Sequence, residues 1–340
     1  MIRTTHTGPK GNYAPMNYLS LFSGIGGFDL GFDRAGMNCI GQCERDVHAQ
    51  NVLRHHWPDV QRSDDVQKIT GSTFDVRPDL ICGGFPCQDL SVAGKRAGLA
   101  GGRSGLWFEY HRIIAEIKPQ WVVVENVSGL LSSQEGRDFA ILVRGLDELG
   151  YMGIWKTFDS QYFGVAQRRR RVFIIGHLGT PSRSEILFES ESVRRNPAEG
   201  RKAGKGASHD LAPCLASSGR GVERGGESRR QDPVIACFGG NRTSGPIDVA
   251  TACNACGTSS GRQDFETETF VAHVVGTFGV RRLTPKECER LQGFPDDWTR
   301  CATKPDGTVY EQSDTQRYRQ LGNAVTGSVA LALGKMILGQ

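Results

Sequence analysis

The chain has 340 residues, 38% of them apolar and 23% charged, so it can bury a full core and is long enough for two unequal domains. No apolar run approaches the roughly 18 residues of a membrane span, and the opening MIRTTHTGPKGNYAP has no apolar centre such as a signal peptide needs. The expectation is a soluble cytoplasmic protein, a compartment that also suits ten scattered cysteines, and the net charge of +4 permits a polyanionic partner without requiring one.

Residues 1–16, rich in Gly, Pro, Thr and Asn, read as a flexible tail. Residues 18–22 then form a strand, followed by Ser23-Gly24-Ile25-Gly26-Gly27 and an amphipathic helix to Ala35. Strand, glycine turn and helix open a nucleotide-binding α/β unit, in which the backbone approaches a ligand near a helix N-terminus. A second strand, 38–43, ends in Glu44, 20 positions after Gly24, where such folds place the carboxylate that bonds ribose hydroxyls. Asp65, followed by Val66, falls where a third strand ends; it suits either an exocyclic amine of adenine or a helix cap.

Residues 80–82 read as a short buried strand that breaks at Gly83-Gly84 and delivers Phe85-Pro86-Cys87-Gln88 on a loop. Most cysteines are small core residues, but one just beyond the carboxyl end of a strand is placed for nucleophilic work. The following residues, 91–104, are rich in glycine and positive charge, as suits a mobile loop closing over a phosphate backbone or a plain linker. Helical spacing runs from Leu106 to Ile117 and stops at Pro119. The wholly apolar run 121–124 is the mark of a central strand, and it delivers Glu125. In a doubly wound sheet the strand ends carrying Ser23, Glu44, Cys87 and Glu125 all open on one edge. A helix over 138–149 and strands over 155–158 and 172–175 follow. The four arginines 168–171 stand directly ahead of the last strand, and by period two Arg169 and Arg171 share a face with Gln167.

From 181 to about 278 the texture turns to Gly, Ser, Arg, Asn and Asp, with two β-like pieces, 234–238 and 270–275, that suggest a small irregular sheet. Arg220, Arg224, Arg242 and Arg262 could reach phosphates or guanines, although solvated arginine is the commoner role. Cys253 and Cys256 have zinc-ligand spacing, yet no second close pair follows, so no metal is expected. Order returns where Thr284 caps a helix with Pro285 at its first position and Glu287 closing the capping box. A final helix spans 325–337.

Gly84-Phe85-Pro86-Cys87-Gln88 resembles the nucleophile motif of the DNA cytosine-5 methyltransferases. That family's blocks recur in order from Tyr18 to Ala330, including Gln167-x-Arg169-x-Arg171, Arg281 to Pro295 and Tyr318 to Val325. The resemblance implies an α/β fold: a doubly wound, Rossmann-like sheet as in S-adenosylmethionine-dependent methyltransferases, with a smaller, irregular, β-rich recognition domain. It divides the chain into the tail 1–16, a catalytic domain 17–180, a target-recognition domain 181–318 and a returning C-terminal helix 319–340. It implies S-adenosylmethionine bound by Phe22, Ser23, Gly24, Ile25, Gly26, Gly27, Glu44, Asp65, Val66, Pro86, Leu106 and Asn323, and no metal.

Cys87 then adds to carbon 6 of a flipped cytosine and Glu125 holds a proton at nitrogen 3. In this reading Arg169 bonds the base oxygen and lowers the Cys87 pKa, while Arg171 orients its neighbours. The implied partner is double-stranded DNA, acted on by a monomer, and a cognate restriction endonuclease stays open. Three rivals remain: a transfer-RNA methyltransferase of the same family, a Rossmann-type oxidoreductase using only the glycine turn and Glu44, and an inactive DNA-binding module.

Overall fold

The computed structural model describes residues 15–86, 105–179, 235–239, 269–275 and 277–340. The sequence-predicted features on Cys87, on the loop 91–104, on Cys253 and Cys256 and on Arg220, Arg224, Arg242 and Arg262 lie outside these residues.

The frame is a seven-stranded sheet of β1 (Asn17–Leu21), β2 (Asn38–Cys43), β3 (Gln61–Ser63), β4 (Leu80–Gly83), β5 (Trp121–Val127), β6 (Tyr151–Asp159) and β7 (Arg170–Leu178) in the order β3-β2-β1-β4-β5-β7-β6. β1 to β5 pair in parallel, whereas β7 runs antiparallel to β5 and to β6. The chain winds outward from β1 in both directions, so β1 and β4 are neighbours whose following connections leave to opposite sides, the place where such sheets hold ligands.

Period-two alternation splits β5 between two cores. Val122 and Val124 join Trp107, Tyr110, Ile113 and Ile114 of α3 (Leu106–Ile117) and Leu142 and Leu146 of α4 (Arg137–Glu148) on one face. Trp121 and Val123 join Phe28 and Phe32 of α1 (Gly27–Ala35) and Val329, Ala330 and Leu333 of α7 (Gly327–Leu338) on the other. α1 and α7 approach closely because they meet at residues without bulk: a Cβ on Gly31 would stand 2.4 Å from that of Ala330.

A third core draws the C-terminal block onto the front of the sheet. Ile25 and Leu30 pack there with Ala49 and Val52 of α2 (Val47–His56), and with Cys288, Phe294, Trp298, Ala302, Leu321 and Ala324. That block contains α5 (Pro285–Leu291), started by the expected Thr284 capping box, and α6 (Asp314–Asn323). The single expected helix over 325–337 is therefore preceded by another, the two separated where Ala324 turns extended. Together α6 and α7 are the one described stretch apolar and long enough to cross a membrane, and more than half of it is buried in the protein as a core helix would be. Residues between β7 and α5 contribute a three-stranded antiparallel sheet, β8 (Ile235–Gly239), β9 (Thr269–Val275) and β10 (Thr277–Arg282).

Candidate active site

The turn after β1 is held in conformations that side chains avoid. Phe22 has φ 53°, Gly24 φ 57° and Gly26 φ 86°, and a bulky residue in the left-handed region persists only where its surroundings enforce it. Glu44, at the end of β2, enforces part of it: its Oε2 accepts from the Gly24 N–H (2.8 Å) and its Oε1 from the Asp46 N–H (2.7 Å). Burial pushes the Glu44 carboxyl up from the usual range, against the pull of those two donors. A cavity of about 360 Å³ opens beside it, lined by Glu44, Arg45, Asp46, Gln316, Arg319, Gln320 and Asn323, with Arg319 reaching Asp46 at 3.5 Å.

The glycines of this turn do different things. Nothing stands within 4 Å of a Cβ placed on Gly24, so that face is open. A Cβ on Gly26 would meet the Trp57 ring at 2.5 Å, and one on Gly27 the Val325 carbonyl oxygen at 2.2 Å, so these two glycines admit neighbouring parts of the chain. Ile25 is 1% exposed and faces the third core.

The second half of the site gathers at the carboxyl ends of β4 and β5. Glu125 is a buried carboxylate, 9% exposed, near the end of β5. Because β7 runs antiparallel, Phe173 pairs with Glu125 and Arg171 with Val127, which brings the Arg171 side chain back to the carboxyl: its Nε lies 3.1 Å from Glu125 Oε1. Burial raises the Glu125 pKa, and the nearby charges of Arg171 and then Arg169 partly offset the rise. The other oxygen, Oε2, would sit 2.6 Å from a Cβ on Gly84, in the loop that leaves β4 and three residues before Cys87 in the sequence. Asn126, the next residue, fastens that loop by donating Nδ2–H to the Phe85 carbonyl oxygen (3.0 Å).

The sequence matches the family of C-5 cytosine-specific DNA methylases over residues 16–211 and 212–339. The chain belongs to that family. It is 32% identical to the type II methyltransferase M2.BsuMI of Bacillus subtilis over 94% of this chain and 75% of that protein. It is 28% identical to the type II methyltransferase M.HpaII of Haemophilus parainfluenzae over 94% and 88%. Among solved structures, S. pombe Dnmt2 methyltransferase shares the fold at a TM-score of 0.63 and 16% identity, covering 95% of this chain and 99% of that one. The expected doubly wound methyltransferase sheet and the DNA cytosine-5 methyltransferase activity both stand on these likenesses and on the strand order.

Against this methyltransferase frame the sequence-derived residues separate. Glu44 and Asn323 line the cavity, Ser23 and Gly24 are bonded to the chain at the end of β2 through Cys43 and Glu44, and Asn323 is exposed at the end of α6. Asp65 caps the short turn Val66–Lys68 by accepting from the Gln67 N–H (3.0 Å), the second of its two expected roles, and Val66 is buried in the first core. Pro86 is exposed beyond β4, and Leu106 packs at the edge of the first core. The two arginines take separate places. Arg171 meets the carboxyl, whereas Arg169, 4% exposed, donates Nη2–H to the carbonyl oxygens of Gly322 (3.0 Å) and Ala324 (2.9 Å) and so ties the sheet to the Asn323 segment. Sequence reasoning missed Asn126 as a loop fastener and Arg45, Gln316 and Arg319 as cavity walls; the signal for Asn126 was its place directly after Glu125.

Proposed function

We propose that this methyltransferase moves a methyl group from S-adenosylmethionine to carbon 5 of a cytosine turned out of duplex DNA, through a covalent adduct at Cys87. The observation that carries the reading is the Glu125 carboxyl: buried, raised in pKa, gripped by Arg171 and set against Gly84, three residues before the cysteine. S-Adenosylmethionine supplies the electrophilic methyl group. Phe22, Ser23, Gly24, Glu44, Asp65, Val66, Pro86, Leu106 and Asn323 would hold it, and the fit is supported by the open face of Gly24 and by the Glu44 carboxyl at the cavity.

Carbon 5 of cytosine is a poor nucleophile. The Cys87 thiolate adds at carbon 6, ring electrons move toward nitrogen 3, and carbon 5 becomes enamine-like. Glu125 holds the proton at nitrogen 3, a task for a carboxyl whose neutral form burial favours. Arg171 fixes that carboxyl, and Arg169 fixes the segment bearing Asn323. Once carbon 5 carries the methyl group, its hydrogen leaves as a proton, the electron pair restores the ring double bond and the thiolate is expelled. The target base must leave the stack, at a cost of roughly a few kcal/mol offset by backbone contacts.

The same reading has a monomer acting on double-stranded DNA in the cytoplasm, and the type II names of its relatives support a cognate restriction endonuclease as companion. The test is methyl transfer to duplex DNA followed by bisulfite sequencing, with transfer RNA assayed in parallel. Cys87→Ser is expected to abolish transfer while DNA binding survives. Undiminished transfer by that variant, or transfer to RNA alone, would end the proposal.

A further inference from the structure

Resting on the cofactor reading above, we infer that Trp298 is a positioning residue that sets the shape of the cofactor turn, and thereby cofactor affinity, from the C-terminal block. Its indole N–H donates to the Ile25 carbonyl oxygen at 3.0 Å, in the middle of the turn that begins at Phe22. From the other side the turn is held by Glu44 at the Gly24 N–H (2.8 Å), and within itself by the Gly26 N–H to Ser23 oxygen contact at 2.9 Å, while helix α1 begins only at Gly27. Three residues of the turn stand at positive φ, one of them a phenylalanine, so the conformation depends on what packs around it.

Trp298 is itself fixed with unusual completeness. The His56 ring lies flat on it, with centroids 3.4 Å apart and planes 4° from parallel, and His56 Nε2 meets the Trp298 carbonyl oxygen at 2.8 Å. Trp57 stands edge-on to Trp298 at 5.5 Å, fills the space that glycine leaves at position 26, and donates its own N–H to Asp33 Oδ2 at 2.6 Å. Ile25 inserts its side chain into the same core as Trp298. Loop 294–298 thus reaches over from the C-terminal block and holds the turn at Ile25, through the third core and the indole bond, while the Gly24 face is left open. None of Ile25, His56, Trp57 and Trp298 lines the cavity beside Glu44. Their influence passes through backbone position alone, which marks a change in binding and not in chemistry.

The experiment compares the full-length protein with Trp298→Phe, which keeps a ring in the core and deletes the N–H. Dissociation constants for S-adenosylhomocysteine are measured by calorimetry, and KM for the cofactor and kcat by methyl transfer to DNA. Every variant is assayed at a temperature where its circular dichroism is that of the folded protein. The expected result is about a tenfold rise in the dissociation constant and in KM, with kcat at saturating cofactor within about twofold of the parent. Tyr151→Phe is the control: it deletes an equally buried bond, from the hydroxyl to the Pro119 oxygen at 2.6 Å, in a distant strand, and leaves both constants unchanged. His56→Ala, which removes the stacking ring without touching the turn, gives a smaller shift of about threefold and serves if Trp298→Phe does not fold. Failure of the parent protein to bind S-adenosylhomocysteine would overturn the cofactor reading itself. Binding by the parent with no difference between the variants and the Tyr151 control, or a fall in kcat at constant affinity, would overturn the role of Trp298.

Discussion

Gly84→Ala separates stability from chemistry. The added methyl would stand 2.6 Å from Glu125 Oε2, whereas ordinary contact begins near 3.4 Å, so one of the two must move by about 0.8 Å. What yields most easily is the tip of the glutamate side chain, so the fold loses little, and the alanine reduces the freedom of the unfolded chain in partial compensation. The tip is also the group proposed to hold the proton at the base. A displacement near 1 Å in such a group costs about a hundredfold in rate. The expectation is single-turnover methyl transfer slowed about a hundredfold, with DNA and cofactor affinities within about threefold of the parent and a melting temperature lowered by no more than a few degrees. A transfer rate within threefold of the parent would refute the reasoning, because the carboxyl would then have no required place beside Gly84.

Other consequences are smaller in scope. Glu125→Gln keeps the shape and removes the acid, and should lower kcat by about 10²- to 10⁴-fold with KM for DNA little changed, read in the same transfer assay. Asp29, fully buried in α1 and bonded by Ser20 and Gln42, is pushed up to about 6 by burial. The folded state therefore favours the protonated acid: the penalty is absent below about pH 4 and grows as pH rises through 6. Asp29→Asn should thus stabilise the protein by about 1–3 kcal/mol at pH 7 and by almost nothing at pH 4, seen as a melting-temperature difference that vanishes on acidification. Gly31→Ala forces α1 from α7 at the 2.4 Å contact with Ala330 and should cost about 1–3 kcal/mol in denaturant unfolding.

Much of the frame could be read from patterning alone. The apolar run at Trp121 to Val124 names a strand buried on both faces, and the capping box at Thr284 names a helix start, because both signals are local. Which arginine meets Glu125 could not be read that way. Period two says that Arg169 and Arg171 share a face, but the antiparallel register of β7 against β5 decides which of them lies beside the carboxyl. The glycine turn is partly illegible for a related reason: glycine marks close approach without saying what approaches, and on the Cβ side of Gly26 and Gly27 stand Trp57 and Val325. The importance of Trp298 was equally hidden, since its partner Ile25 lies 273 positions away in the chain.

The central claim is a sulfur–carbon bond between Cys87 and carbon 6 of the target cytosine, and trapping it is the most direct measurement. Duplex DNA carrying 5-fluorocytosine at the methylated position has no hydrogen at carbon 5 for the final elimination, so the adduct should persist through denaturing electrophoresis. Peptide mass spectrometry should then find the methylated fluoropyrimidine on Cys87, with no trapped species from Cys87→Ser. A trapped base on any other cysteine, or turnover of natural DNA with no adduct from the fluorinated duplex, would contradict the account.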